Sequence, residues 1–261
     1  MKRALRAAAL LAAASMLTAC AVNVSGITVG FGSRRTVRAK GEDHTEIDLL
    51  LYADTAGDHI LTIEDIYLTD SAVEINIDPA LEDNITLTGE KKLLDSIKVE
   101  IDHQAGIITV SGNDRLQFAD ADLEITLGVP VKTLTLSGGI ELDAVLPEVK
   151  AFALRVDGAL DGEIAFGALD TLDVEINGAG SLELDGTCAK ADITVNGAGS
   201  IEADDLRCTD ADVTINGAGS CEIHVSGTLN AEVDGIGSIR YRGNPARVNQ
   251  SGGGIVSVSG K

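Results

Sequence analysis

The chain has 261 residues, 20 of them basic and 41 acidic, for a formal net charge of −21; it has no Trp, three Tyr and four Phe. That balance speaks against nucleic-acid binding, which needs a basic footprint. The scarcity of aromatic rings removes the usual stacking platforms of sugar-processing sites.

Residues 1–19 read as a lipoprotein signal peptide. Lys2, Arg3 and Arg6 make the positive end, an Ala/Leu-rich run follows, and the segment is too short for an ordinary membrane-spanning helix. Leu17-Thr18-Ala19-Cys20 matches the bacterial lipobox, so Cys20 is the expected lipidation site and first residue of the mature chain. Each acyl methylene buried in lipid contributes about 0.8 kcal/mol, so several chains on one cysteine anchor firmly. Ala21, where Asp would favour inner-membrane retention, points to the outer membrane if the cell has two. The membrane face, periplasmic or surface, stays open.

Residues 20–40 are expected to be the lipidated cysteine and a basic tether, since Arg34, Arg35, Arg38 and Lys40 occur there without a single acid. Such a segment suits anionic headgroups or serves as a solvated linker. From residue 41 the charge inverts, with 13 basic against 41 acidic residues, which keeps a strand-rich body soluble.

Residues 41–135 alternate apolar and polar in short runs: Glu46 to Leu49, Ala72 to Ile77, Asn84 to Leu87, Ile97 to Ile101, Ile107 to Val110 and Leu123 to Leu127. Their spacing is uneven, with a longer connection from Gly89 to Ser96, which fits irregular early coils or a capping β-lobe. No Pro/Gly/Ser-rich break follows, so one domain over 41–261 is expected.

Residues 136–261 repeat. Asn177-Gly178-Ala179-Gly180-Ser181 returns at Asn196 and Asn216, and lightly altered at Asp234; looser forms begin at Ser137, Asp157 and Ser251. The steps are 20, 20, 19, 20, 18 and 17 residues, the length of one solenoid coil. Strand alternation precedes each marker (Leu172 to Ile176, Ala191 to Val195, Ala211 to Ile215) and resumes after it (Leu182 to Leu184, Ile201 to Ala203, Cys221 to Ile223, Ile239 to Tyr241). The Asn-Gly step is a turn, because glycine enters the left-handed region without steric cost. A coil that always winds one way lays each repeat parallel to the last, about 4.8 Å away.

The spacing therefore predicts an all-β chain, a right-handed parallel β-helix, with roughly 29 Å of regular rod. Asn177, Asn196, Asn216 and Asp234 would stack into a turn ladder of side chains. Ile176, Val195, Ile215 and Val233 would form one apolar column; Leu182, Ile201, Cys221 and Ile239 would form another.

A specific resemblance rests on ordered motifs: Lys92 to Val99, Gly106 to Val110, Val131 to Gly138, the Asn-Gly-Ala-Gly-Ser coils, and Ile239-Arg240-Tyr241-Arg242-Gly243-Asn244-Pro245. Together they resemble the head GIN domain family of auto-transporter adhesin-like proteins, often exported lipoproteins, over nearly all of 41–261. The resemblance implies a β-helix at the cell envelope and carries over no catalytic residues.

Cys188 and Cys208 both lie eight residues before a marker asparagine. On adjacent coils they fall within the Cα range a disulfide accepts, so a coil-to-coil disulfide and two stacked thiols are both open. Cys221 joins an apolar column as a small core residue. Carboxylates stack as well: Asp173, Asp192 and Asp212 in one row; Glu183, Glu202 and Glu222 in another that ends on Arg240. A solvated acidic face is expected over calcium binding, since the Gly-Gly-x-Gly-x-Asp calcium repeat is absent. No metal or cofactor site is assigned. His44, His59, His103 and His224 are scattered, the glycine markers lead into strands and lack a dinucleotide loop's third glycine, and there is no Gly-x-Ser-x-Gly elbow.

The expected function is thus non-enzymatic: a lipid-anchored envelope protein for adhesion, binding or scaffolding. Its expected partners are the membrane, through the anchor, and a glycan, a protein or a further copy of itself. The competing readings are a polysaccharide-active enzyme on the same rod and a structural spacer without ligand.

Overall fold

The computed structural model describes the backbone of residues 34–40, 44–50, 59–64, 67–68, 72–81, 84–102, 106–112, 117–118 and 121–258, and the side chains of 61–62, 72–81, 85–100, 106–112 and 121–257. Cys20, the expected signal peptide at 1–19 and His103 lie outside these residues.

The C-terminal half is a parallel β-solenoid of about six turns. Each coil has a first side, then a glycine corner, then a second side, then a shorter return. Thr133–Leu136 pairs in parallel with Ala153–Val156, and Ile140–Leu146 with Leu160–Phe166, one 20-residue step on. Further along, Ala211–Gly217 pairs with Leu229–Gly235, and Ser220–Ile223 with Ser238–Tyr241. Odd positions of the first side point inward: Leu172, Val174 and Ile176 are buried, as are Ala191, Ile193 and Val195. Both predicted apolar columns form, with Ile215 opposite Val233 and Ile201, Cys221 and Ile239 in register.

What fixes the register is the corner. Gly158, Gly178, Gly197, Gly217 and Gly235 have φ between +140° and +152°. A Cβ at Gly178 would lie 1.8 Å from the carbonyl oxygen of Gly158, and one at Gly197 would lie 2.1 Å from that of Gly178. The coils touch backbone to backbone there, at a φ that side-chain-bearing residues rarely adopt, so only glycine fits.

The N-terminal region joins the same 15-stranded sheet, apart from Tyr67–Leu68 and Gln117–Phe118, which pair in a small sheet of their own. His59–Glu64 and Val73–Ile77 form the sides of an early coil, as do Ile107–Gly112 and Leu123–Leu127, all parallel to the rod. They stack out of chain order: the 59–77 coil sits between the 107–127 coil and Val131–Leu146. Ile97–Asp102 and Asn84–Glu90 then add antiparallel strands outside them. The Gly89-to-Ser96 connection holds a single helical turn, Lys91–Leu94, that buries Leu93 and Leu94.

Two sequence expectations are corrected. The basic tether does not extend to residue 40: Arg34–Lys40 is a strand, antiparallel to His44–Leu50, which pairs in turn with Asn84–Glu90. The register sets Arg38 opposite Glu46; composition alone hid the strand pair, because the acids stand on the partner strand. At the other end, Ser251 lies opposite Glu232 and not Asp234. The coil step is 19 residues before this last corner and 17 after it, where Ser238 faces Ile255. The corner itself has lost the two residues.

Replacing Gly197 with Ala should destabilise the fold by about 3 kcal/mol, from left-handed strain and the forced backbone shift. Gly253, whose added Cβ would meet nothing within 4 Å, should tolerate Ala within about 0.5 kcal/mol. Urea unfolding of the two variants checks the contrast.

Candidate binding face

The outward positions of the first side form three straight columns, because the coils stack without stagger. In the corner column the Nδ2 of Asn177 donates to Asp157 Oδ1, that of Asn196 to Asn177 Oδ1, and that of Asn216 to Asn196 Oδ1, each at 2.8 Å. The predicted amide ladder is present and has a direction. Asp157, a carboxylate, can only accept, so each amide above it donates toward the N-terminal end of the rod. Asp234 stands next in register to Asn216 but has no amide hydrogen to give, so the ladder stops there. Its inclusion in the column is right; its membership of the hydrogen-bond chain is not.

A second ladder was not read from the sequence. Asn230 donates to Asp212, and Asn249 Nδ2 donates to Asn230 Oδ1 at 2.7 Å. The clue was the row Asp173, Asp192, Asp212, which continues into Asn230 and Asn249 with the same chemistry. Between the two ladders runs a mixed column in which Arg155 pairs with Glu175, followed by Thr194, Thr214 and Glu232.

Within the aspartate row the environments diverge. Burial, then the neighbouring charges of Asp173 and Asp212, raise the pKa of Asp192 above the usual carboxylate value. Asp212 goes the other way: the Asn230 amide lowers it, helped by Lys190, whose Nζ lies 3.1 Å from its carboxylate.

The second side is more uniformly acidic. Glu124, Glu74, Glu141 and Asp161 stand side by side on neighbouring strands, and the three glutamates line, with Thr88 and Asp122, a cleft of about 440 Å³. The adjacent column runs Asp143, Glu163, Glu183, Glu202 and Glu222, and closes on Arg240, whose guanidinium is 2.7 Å from Glu222. Arg242 reaches back two coils to Asp204. Among the described residues no group of three His, Cys, Asp or Glu side chains could hold a metal ion. His44 and His59 fall on separate strands. His224 lies opposite Arg242.

Cys188 and Cys208 are both buried, as reduced thiols close to one another. Cys221 is fully buried in its apolar column, and burial pushes its thiol up to about 12. No helix among the described residues is long and apolar enough to cross a membrane.

Residues 68–245 match the family described as "Putative auto-transporter adhesin, head GIN domain". The chain belongs to that family. No curated protein matches it by sequence. Its head GIN fold is similar to that of a putative adhesin from Bacteroides fragilis NCTC 9343, with a TM-score of 0.65, 18% identity, and 84% of this chain and 97% of that one covered. A putative adhesin from Parabacteroides merdae ATCC 43184 is similar at a TM-score of 0.54 and 17% identity, over 90% and 100% of the two chains. A putative lipid binding protein from Parabacteroides distasonis ATCC 8503 is similar at 0.52 and 17%, over 84% and 98%. At these identities the likeness is one of fold. The family's description and those of the Bacteroides fragilis and Parabacteroides merdae structures speak of putative adhesins, not enzymes.

Two substitutions test the ladder chemistry. Asp234→Asn should extend the corner ladder by one bond and raise stability by about 1 kcal/mol. Asp192→Asn should stabilise by a similar amount at pH 7. Because the native carboxyl of Asp192 is raised, its ionisation costs stability as pH rises through that value. The gain from Asn should therefore shrink as pH falls and lose its charge component below 3.8. Urea midpoints between pH 3 and pH 8 measure both.

Proposed function

We propose that the protein is a lipid-anchored, non-enzymatic component of the bacterial cell envelope whose solenoid flank adheres to, or scaffolds, a repetitive partner. The observation that carries this reading is the unstaggered column structure of the first side. Asn177, Asn196 and Asn216, flanked by Thr194 and Thr214, offer similar donors and acceptors at each coil step. A partner with its own short repeat, such as a glycan polymer, would meet equivalent groups at each step. The acidic columns favour a neutral or amino-sugar polymer over a polyanion. The adhesin description of the family supports a contact role. The lipobox at Leu17 to Cys20 and its positively charged leader support membrane anchoring, with an outer-membrane destination in a two-membrane cell.

Metabolic labelling with an alkyne fatty acid should tag the full-length chain and not Cys20→Ala. On a glycan array the solubilised protein should bind neutral or amino-sugar polymers, and Thr194→Glu with Thr214→Glu should weaken that binding at least tenfold. Turnover of uronate polymers, or no binding across the array, would overturn the adhesive reading.

A further inference from the structure

Three cysteines lie in the solenoid core, and two of them, Cys188 and Cys208, belong to neither the ladders nor the apolar columns described above. Cys188 and Cys208 occupy the same place on consecutive coils: each is eight residues before a corner asparagine, and those asparagines, Asn196 and Asn216, are hydrogen-bonded to one another. Both are buried, at 3% and 2% exposure. Each thiol is the largest influence on the other's acidity, which sets the two side by side. Each thiol donates to a carbonyl of its own coil, Cys188 Sγ lying 3.0 Å from the Lys190 oxygen and Cys208 Sγ 3.7 Å from that of Leu206. Neighbouring coils in register hold their Cα atoms about 4.8 Å apart, inside the 4.4–6.8 Å range of disulfides.

We propose that Cys188 and Cys208 are a redox-formed staple between consecutive coils. Oxidation breaks two S–H bonds and forms one S–S bond; two protons go to solvent. The two electrons reduce the disulfide of a small-molecule or protein thiol–disulfide oxidant to its two thiols. Burial of both sulfurs places the reaction during folding, before the coil above closes over them. Cys221 sits in the apolar column facing Ile201 and Ile239 and remains a thiol.

The position matters for a repeat protein. Its stability is a sum of nearest-neighbour interfaces, so one covalent tie in the middle prevents the rod from opening there. The tie closes a loop of about 20 residues and constrains the unfolded chain accordingly.

The test needs no knowledge of where the protein resides. The full mature chain is unfolded, reduced, and refolded in a buffer of oxidised and reduced glutathione, then alkylated without reduction and digested. The expected result is a Cys188–Cys208 cross-linked peptide with Cys221 alkylated, a mass two hydrogens lower, and a Tm roughly 5–10 °C above that of the reduced form. Cys208→Ser should abolish both the cross-link and the Tm difference, while Cys221→Ser should retain them. Three alkylated thiols after refolding would overturn the proposal, and so would a cross-link to Cys221. A cross-link that leaves Tm unchanged would overturn its role as a staple.

Discussion

The fold depends on one close contact, the approach of each corner glycine to the carbonyl of the corner below. A Cβ at Gly178 would come within 1.8 Å of that oxygen, so the stacking distance is set where there is no side chain to adjust it. Everything else inherits its alignment from this constraint. If corners could slide, Ile176 would no longer stand on Val195, and the amide of Asn196 would miss the oxygen of Asn177. The glycine is permissive in conformation and restrictive in assembly, because it allows the turn and forbids any register but one.

The side-chain ladders add polarity to this stack. A column of asparagines alone could hydrogen-bond in either direction; a carboxylate at its foot decides. Asp157 does this for Asn177, Asn196 and Asn216, and Asp212 for Asn230 and Asn249. The aspartates that stand elsewhere in these columns are the places where the order fails. Asp192 lies between two more carboxylates and has its proton affinity raised, while Asp234 ends the longer ladder. The exposed acid columns of the second side contribute solubility more than cohesion, since like charges at strand spacing repel.

The regular coils were legible in the sequence because the corner imposes identical letters at a fixed step. Period and alternation together fixed the direction of pairing, both apolar columns and the corner ladder. Other features were hidden for physical reasons. Arg34–Lys40 pairs through backbone groups with a strand whose acids lie elsewhere in the chain, so its composition resembled a linker. The ladder from Asp212 was missed because a switch from Asp to Asn halves the charge pattern while keeping the shape. Gln250 sits opposite Ala231 and Gly252 opposite Val233, in columns that are apolar in earlier coils. The final turn thus begins to end the core from within, which no polar tail announced.

The displaced position of the 59–77 coil bears on how the molecule is made. In the repeats a residue meets its neighbour about 20 positions away, and such pairs form early because little chain entropy is lost. Thr133–Leu136 instead meets Ile60–Ile63, some 70 positions back, across a stretch that must first loop out and fold over the far side. Closing that long loop loses the most chain entropy. Once it is in place, the rod behind it can grow as a zipper, one coil seated on the next.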